Sequence, residues 1–388
     1  MEIRHLRKDE MVECSRISSQ AFMFPFNEQE RRERLEKEEA PEKGYLGCFA
    51  KSGEMMASLV VVPFDVHYHG HILKMGGIGN VATKPEYRRG GAVREMMRLA
   101  LGEMKEAGIA VSTLYPFSHP YYRRFGYELC CAHLEHKIAI DSLEGFRHTG
   151  WAKLMRQGDD VAPLMALYSK YMSDINLSTP RNAERWQQLI KNDPLQHHEY
   201  CYLLGEGDRH FAYLRYRLLR EDGTDAIVDD LAFDSPQGMH AILGFLARFS
   251  GQYAHARIRL TQKTPMAALI NEPYDLATST NGQPMARVVD VAGVLALHGA
   301  IAKHSFTLEI IDEFMPENSG CYHVAGGVVS KTQEKPDAEM DIATFSQLSC
   351  GYLTIDQACF KQQCRLNGNE SALREAFPQK DILISEQF

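Results

Sequence analysis

The sequence predicts a mixed α/β (α+β) protein built as three successive units, and three observations carry that expectation. Between Gly76 and Ala107 an apolar strand end, a turn at Pro85 and a long helix follow one another. Residues 109–117 then return as a near-continuous apolar run, the pattern of a strand buried on both faces. Past about Lys137 the alternation of strand and helix patterns starts afresh, and from Ala286 it starts a third time. Length agrees, because 388 residues exceed what one ordinary core holds.

Composition narrows the class. Hydrophobic residues at 44% and charged residues at 24% are ordinary for a globular protein. No apolar run approaches the roughly 20 residues that cross a bilayer, and MEIRHLRKDE is too charged to open a signal peptide. The expectation is a cytoplasmic chain with no membrane partner. Nine cysteines, odd in number and without a CxxC pair, fit reduced thiols better than a disulfide framework. A net charge of −8 argues against a nucleic-acid partner and suits a cationic one.

Taken in order, residues 9–22 place Met11, Ile17, Ala21 and Phe22 near one helical face, and 27–39 form a second, highly charged helical stretch. Phe22, Phe24 and Phe26 surround Pro25 and read either as the wall of a substrate pocket or as a packing plug. Residues 45–50 and 55–68, joined by the turn KSGE, read as antiparallel strands, with a third after Gly70. His67, His69 and His71 alternate, but no Cys or carboxylate cluster accompanies them. Solvent-facing hairpin histidines are expected there, and no metal site.

The stretch GGIGNVATKPEYRRGGAVR is the centre of the first unit. Gly90 and Gly91 let backbone N–H groups approach a ligand, the helix start adds partial positive charge, and Arg88 and Arg89 add full charge, so the turn suits a pyrophosphate. The spacing Arg88, Gly91, Val93 resembles the R/Q-x-x-G-x-G/A signature by which the GNAT superfamily of acyl-CoA N-acyltransferases holds coenzyme A, with Val93 standing where Gly or Ala is usual. YYRRFGY then resembles the end of a GNAT core, where a tyrosine commonly protonates the departing thiolate. That position is Tyr122, with Tyr121 and Tyr127 as alternatives.

In the second unit DSPQGMHA stands where a cradle would belong, with Asp234 and no arginine, so this unit is expected to be a degenerate copy without coenzyme binding. In the third, 312–320 carry a D-E-F-x-P-x-N-x-G turn between strands, similar to the sterol-carrier-like fold. The whole order resembles the Eis (enhanced intracellular survival) family of N-acetyltransferases. The resemblance implies two GNAT-like cores in tandem followed by a sterol-carrier-like domain, over 1–145, 146–285 and 286–388.

It also implies a cytoplasmic homo-oligomer, a hexamer, that takes acetyl-CoA as cosubstrate. The acceptor would be an amine-bearing small molecule, aminoglycosides among them, or a protein lysine, in a large acidic pocket. Backbone groups of Val81, Ala82 and Thr83 would polarise the thioester. Transfer needs a neutral amine, so a base must remove a proton from a group whose pKa lies near 10. The resemblance assigns this to the terminal carboxylate of Phe388, with a frayed terminus as the alternative, and the acid to Tyr122. A different class, a coenzyme A or lipid sensor without turnover, shares all these features except the need for Tyr122 and Phe388.

Overall fold

The computed structural model describes residues 1–220, 224–261, 264–281, 284–386 and 388. They form three sheets. The first holds β1 (Glu2–His5), β2 (Tyr45–Phe49), β3 (Met55–Tyr68), β4 (His71–Thr83), β5 (Val111–Leu114), β6 (Glu128–Leu129) and a late strand, β14 (Met285–Val288), in the order β1-β2-β3-β4-β5-β14-β6. The second is β13-β7-β12-β11-β10-β9-β8, from β7 (His133–Ala139), β8 (Trp151–Leu154), β9 (Glu199–Glu206), β10 (Arg209–Arg220), β11 (Thr224–Phe233), β12 (His255–Leu260) and β13 (Leu276–Asn281). The third is a five-stranded sheet of strands between Phe306 and Leu366.

The sheets cross both expected boundaries. β7 lies before residue 145 yet pairs with β12 and β13 of the second sheet, and β14 spans 285–288 yet fills the gap between β5 and β6 of the first. The cause is backbone hydrogen bonding. β5 is buried at every position, so both of its edges need partners: β4 serves one edge in parallel and β14 the other, antiparallel, with Val288 opposite Val111 and Met285 opposite Leu114. Pairing partners some 170 residues apart leave no local signal.

β14 also carries Arg287, fully buried with Asp312, which belongs to the third unit; the same guanidinium donates to the carbonyl of Phe125. The DEFMPENSG turn is therefore a docking knot. Asp312 accepts from the backbone N–H groups of Phe314 and Met315, and Asn318 donates to Asp312 and accepts from Lys105 of the first unit.

One hydrophobic core spans the first and third units, joining Val66, Tyr68 and Met75 to Val294, Phe306 and Phe345. The β3–β4 hairpin turns on His69 and Gly70, both with positive φ (48° and 81°). Here the histidine expectation needs correction. His71 is exposed, but His69 Nε2–H donates to the Ser349 carbonyl oxygen (2.8 Å) and its ring lies 4.7 Å from that of buried His298. The turn is an inter-unit contact, because its tip meets the third unit instead of water.

Helix α1 (Met11–Phe22) buries Met11, Cys14 and Ile17 and leaves Phe22 exposed; α2 (Glu28–Lys37) is capped by Asn27 and buries only Leu35. Among the described residues no helix is long and apolar enough to cross a membrane.

Candidate active site

The site begins with the shape of β4. Ser58 of β3 faces Ala82 and Val60 faces Gly79, so Leu59 stands opposite two residues, Asn80 and Val81, a β-bulge. Asn80 takes the left-handed conformation (φ 50°) that asparagine tolerates better than most residues. β4 pairs with β5 only from Met75 to Ile78, after which the strands part. The result is a wedge in which the later part of β4 keeps its β3 partner and presents its other edge to a ligand. Val81 and Thr83 line this cleft, whereas Ala82 alternates to the far face and is buried beneath α1.

Beyond β4 the chain makes a short turn at Pro85–Tyr87, and helix α3 (Ala92–Glu106) starts after Gly91. Arg89 (φ 65°) and Gly91 (φ 84°) are both left-handed, a conformation that glycine accepts and arginine adopts at a cost. No side chain caps the start of α3, so its first N–H groups remain available to an anion. Arg88 and Arg89 are exposed and make no ion pair with the described residues, and a Cβ on Gly91 would meet only open space. Arg88, Arg89, Gly90 and Gly91 all line a cleft of about 900 Å³, joined by Arg94 and Arg124, which sequence reasoning did not single out. Val93 lines the same cleft and packs on the core beside Tyr87, so the departure from Gly or Ala is absorbed. Uncapped amides, unpaired guanidinium groups and free space together fit a coenzyme pyrophosphate.

The facing wall is α4 (His119–Arg123) with the loop before it. Phe117 and Tyr121 line the cleft, and behind them Tyr122 is buried among the rings of Phe117, Tyr121, Phe125 and Tyr127. Burial pushes the Tyr122 phenol well above its ordinary range, which keeps it protonated at neutral pH. Tyr122 has no hydrogen-bond partner among the described residues, yet its oxygen is not one of the sealed, unpartnered polar atoms. Tyr127 is committed elsewhere: its hydroxyl lies 2.6 Å from Ser112 Oγ, which in turn donates to the Gly76 carbonyl. Gly126 (φ 78°) follows because its α-carbon sits against the guanidinium of Arg287.

Phe388 lies at the wedge. Its ring packs between Phe64 and Tyr115, each at 5.5 Å, and over Gly77, where a Cβ would stand 2.6 Å from it. Its carboxyl carbon is 3.0 Å from where a Gly79 Cβ would be, next to the bulge. Two further contacts hold the approach. Glu386, buried, pairs with Arg181 (2.8 Å) and Arg185, and Ser385 Oγ accepts from the backbone N–H of Thr179 (3.0 Å). The terminus is packed, not frayed. Nothing local in the sequence marks Gly77 and Gly79 as its seat; only their alternation on one strand face is visible.

The three phenylalanines separate. Phe22 lines the cleft at the start of α3, Phe24 is exposed and outside it, and Phe26 packs on the core beside α1 with Arg16 over its ring. The structure does not bring them together as one wall. In the second unit Asp234 pairs with Arg209 (3.2 Å), Ser235 caps the following helix, and Gly238 is pressed against the Phe211 carbonyl, so that helix start is closed to a ligand.

Residues 2–130 and 178–288 each match a family model described as an acetyltransferase (GNAT) domain, and residues 291–384 match a sterol carrier protein domain. No curated protein sequence matches the chain. Three solved structures share its fold over nearly their full length. A GCN5-related N-acetyltransferase from Anabaena variabilis is 21% identical, with 99% of each chain covered and a TM-score of 0.85. A probable N-acyltransferase from Enterococcus faecalis is 23% identical, covering 98% of this chain and 97% of that one, with a TM-score of 0.83. Eis1 from Mycobacterium abscessus is 19% identical over 100% of both chains, with a TM-score of 0.79.

Proposed function

Because the chain belongs to the GNAT superfamily, with two GNAT acetyltransferase domains ahead of a sterol carrier protein domain in an Eis-like order, we propose that it is an acetyl-CoA-dependent N-acetyltransferase of amine acceptors that works by direct transfer. The observation that carries this reading is the carboxyl group of Phe388 against Gly79, at the mouth of the β4–β5 wedge whose other end is the uncapped start of α3.

The residues divide the work as follows. Arg88, Arg89, Gly90 and Gly91 hold the pyrophosphate, and the backbone of Val81 and Thr83 on the open edge of β4 orients the thioester. Ala82 contributes through its main chain, its side chain being turned into the core. The acceptor ammonium gives a proton to the Phe388 carboxylate, the freed nitrogen attacks the thioester carbonyl carbon, and the C–S bond breaks. Tyr122 gives its phenolic proton to the departing thiolate and is reprotonated by the second proton that the acylated nitrogen sheds as the amide forms; Tyr121, nearer the open cleft, is the alternative donor. A tyrosine with a raised pKa is a weak acid, but a thiolate leaving an apolar pocket takes up a proton readily.

A C-terminal extension tests the base. One added residue displaces the carboxylate by about 3.5 Å, and a displacement of about 1 Å can cost on the order of 100-fold in rate. Thiol release from acetyl-CoA with a panel of amines should therefore collapse on adding a single Gly, while coenzyme binding survives. Full activity of the extended chain would remove Phe388 from the mechanism. We extend the reading to a homo-oligomer, a hexamer, in keeping with exposed Tyr274, Val328 and Phe360; light scattering at micromolar concentration reports it.

A further inference from the structure

A second cavity, of about 590 Å³, lies between the second sheet and the C-terminal tail, bounded on the first-unit side by Tyr115. Tyr115 is also the residue whose ring rests on Phe388, so this cavity adjoins the base. Glu386, on its wall, is only two residues from Phe388, at most about 7 Å along an extended chain.

The charges of the lining do not suit a polycation. Five arginines (Arg181, Arg185, Arg215, Arg217 and Arg259) meet four carboxylates, Glu199, Asp229, Asp230 and Glu386. Most of them neutralise one another: Arg181 pairs with Asp230 and Glu386, Arg185 with Glu386, and Arg217 with Asp229 (3.1 Å). Glu199 accepts from the Asn192 amide (3.1 Å) and stands across the strands from Arg217. Arg215 and Arg259 remain on the cationic side and Glu199 on the anionic, none within ion-pair distance of an opposite charge among the described residues, so guanidinium groups outnumber carboxylates among the unpaired.

A third polar group completes the set. His133 is 8% exposed, lines the same cavity, and its Nε2 has no hydrogen-bond partner. A buried imidazole whose Nε2 has no partner, on the same lining as two guanidinium groups without ion pairs, is an arrangement that an oxyanion satisfies when Nε2 carries the ring's N–H.

We propose that this cavity is an acceptor subsite that reads an oxyanion through Arg215, Arg259 and His133, so that the preferred acceptor carries a carboxylate or phosphate as well as the amine. The inference rests on the acetyltransferase reading for the chemistry and adds the substrate class. It departs from the acidic, polyamine-accepting pocket that the resemblance implies. The net charge of −8 favours cations only at long range, where salt screens it; within the cavity the nearest unpaired groups decide.

The test compares 6-aminohexanoate, 3-aminopropyl phosphate, neutral 6-aminohexanamide and a polycationic aminoglycoside. Thiol release should give the oxyanion-bearing amines a kcat/KM at least about tenfold above the neutral amide, and the stronger of the two names the anion. In Arg259→Gln, at an exposed position that folding tolerates, and in Arg215→Gln, that ratio should fall by about tenfold each. Equal rates for amide and acid in the natural chain, a preference for the aminoglycoside, or a ratio unmoved by either substitution would overturn the proposal. Calorimetry with 6-aminohexanoate and the amide, without coenzyme, separates the two readings. Selective, Arg259-dependent binding with no turnover of any amine would keep the subsite and refute the acetyltransferase, and no selective binding would refute the subsite whatever the turnover.

Discussion

At Gly77 one methyl group would stand 2.6 Å from the ring of Phe388, closer than carbon atoms approach, so Gly77→Ala should push the tail off β4. The expected result is a fall in kcat on the order of 100-fold, with acetyl-CoA affinity kept, because the cradle lies elsewhere on the chain. Steady-state kinetics beside calorimetry checks it, and an unchanged kcat would mean that Phe388 has no fixed place in the reaction. Tyr122→Phe keeps the ring that four neighbouring aromatics pack against and removes only the proton donor. It should lower kcat and leave melting nearly unmoved. Tyr127→Phe, by contrast, breaks the buried bond to Ser112 and should show mainly as lost stability, about 1 kcal/mol. The motif YYRRFGY offered three candidate tyrosines in the sequence; which of them is spoken for by a hydrogen bond was not legible there.

Two helix starts separate the proposed coenzyme cradle from its counterpart in the second unit. α3 opens after a left-handed glycine with no capping side chain, whereas the helix Pro236–Ala247 is capped by Ser235 and preceded by Asp234. Its N–H groups and its space are already taken. Calorimetric titration with acetyl-CoA should therefore saturate at one per chain, and two sites would contradict the assignment of the cradle to α3 alone. Arg88→Ala and Arg89→Ala should each weaken that binding by about tenfold with little change in melting, since exposed charges without partners add little to folding. This difference between the units was legible in the sequence as arginines against an aspartate. The β4 bulge at Asn80 was not, because a bulge is a mismatch in count between two strands and neither strand records it alone.

Across the whole molecule, two of the buried polar contacts that join the first and third units make predictions of their own. Arg287 and Asp312 are both sealed from water, so Asp312→Ala leaves an uncompensated guanidinium and should cost about 3–5 kcal/mol, read in chemical denaturation. At the hairpin tip, burial pushes His69 down to about 4 and His298 to about 3, below the unfolded value near 6.5. The unfolded chain thus binds protons that the folded one refuses, and stability falls as pH drops below 6.5. The slope approaches about 1.4 kcal/mol per pH unit for each imidazole, ending for His69 near pH 4 and for His298 near pH 3. Urea unfolding at pH 7, 6 and 5 should show it, with a smaller slope in His69→Gln; an identical slope would assign the acid sensitivity to other groups.

By itself the sequence determined the three-unit order, the strand, turn and helix of the cradle, and the identity of the cations that line it, because these follow from periodicity and residue type over short stretches. It did not reveal that β7 and β14 change sheets, that Gly77 and Gly79 seat Phe388, or that the cavity beside the tail keeps two unpaired arginines. Those depend on which distant groups find one another: a buried strand edge needs a hydrogen-bond partner, and a charge is free or paired only by where its neighbours fold. The tail brings both levels together, its last residue visible from the start and its place decided by the contacts of Ser385 and Glu386 with the second unit.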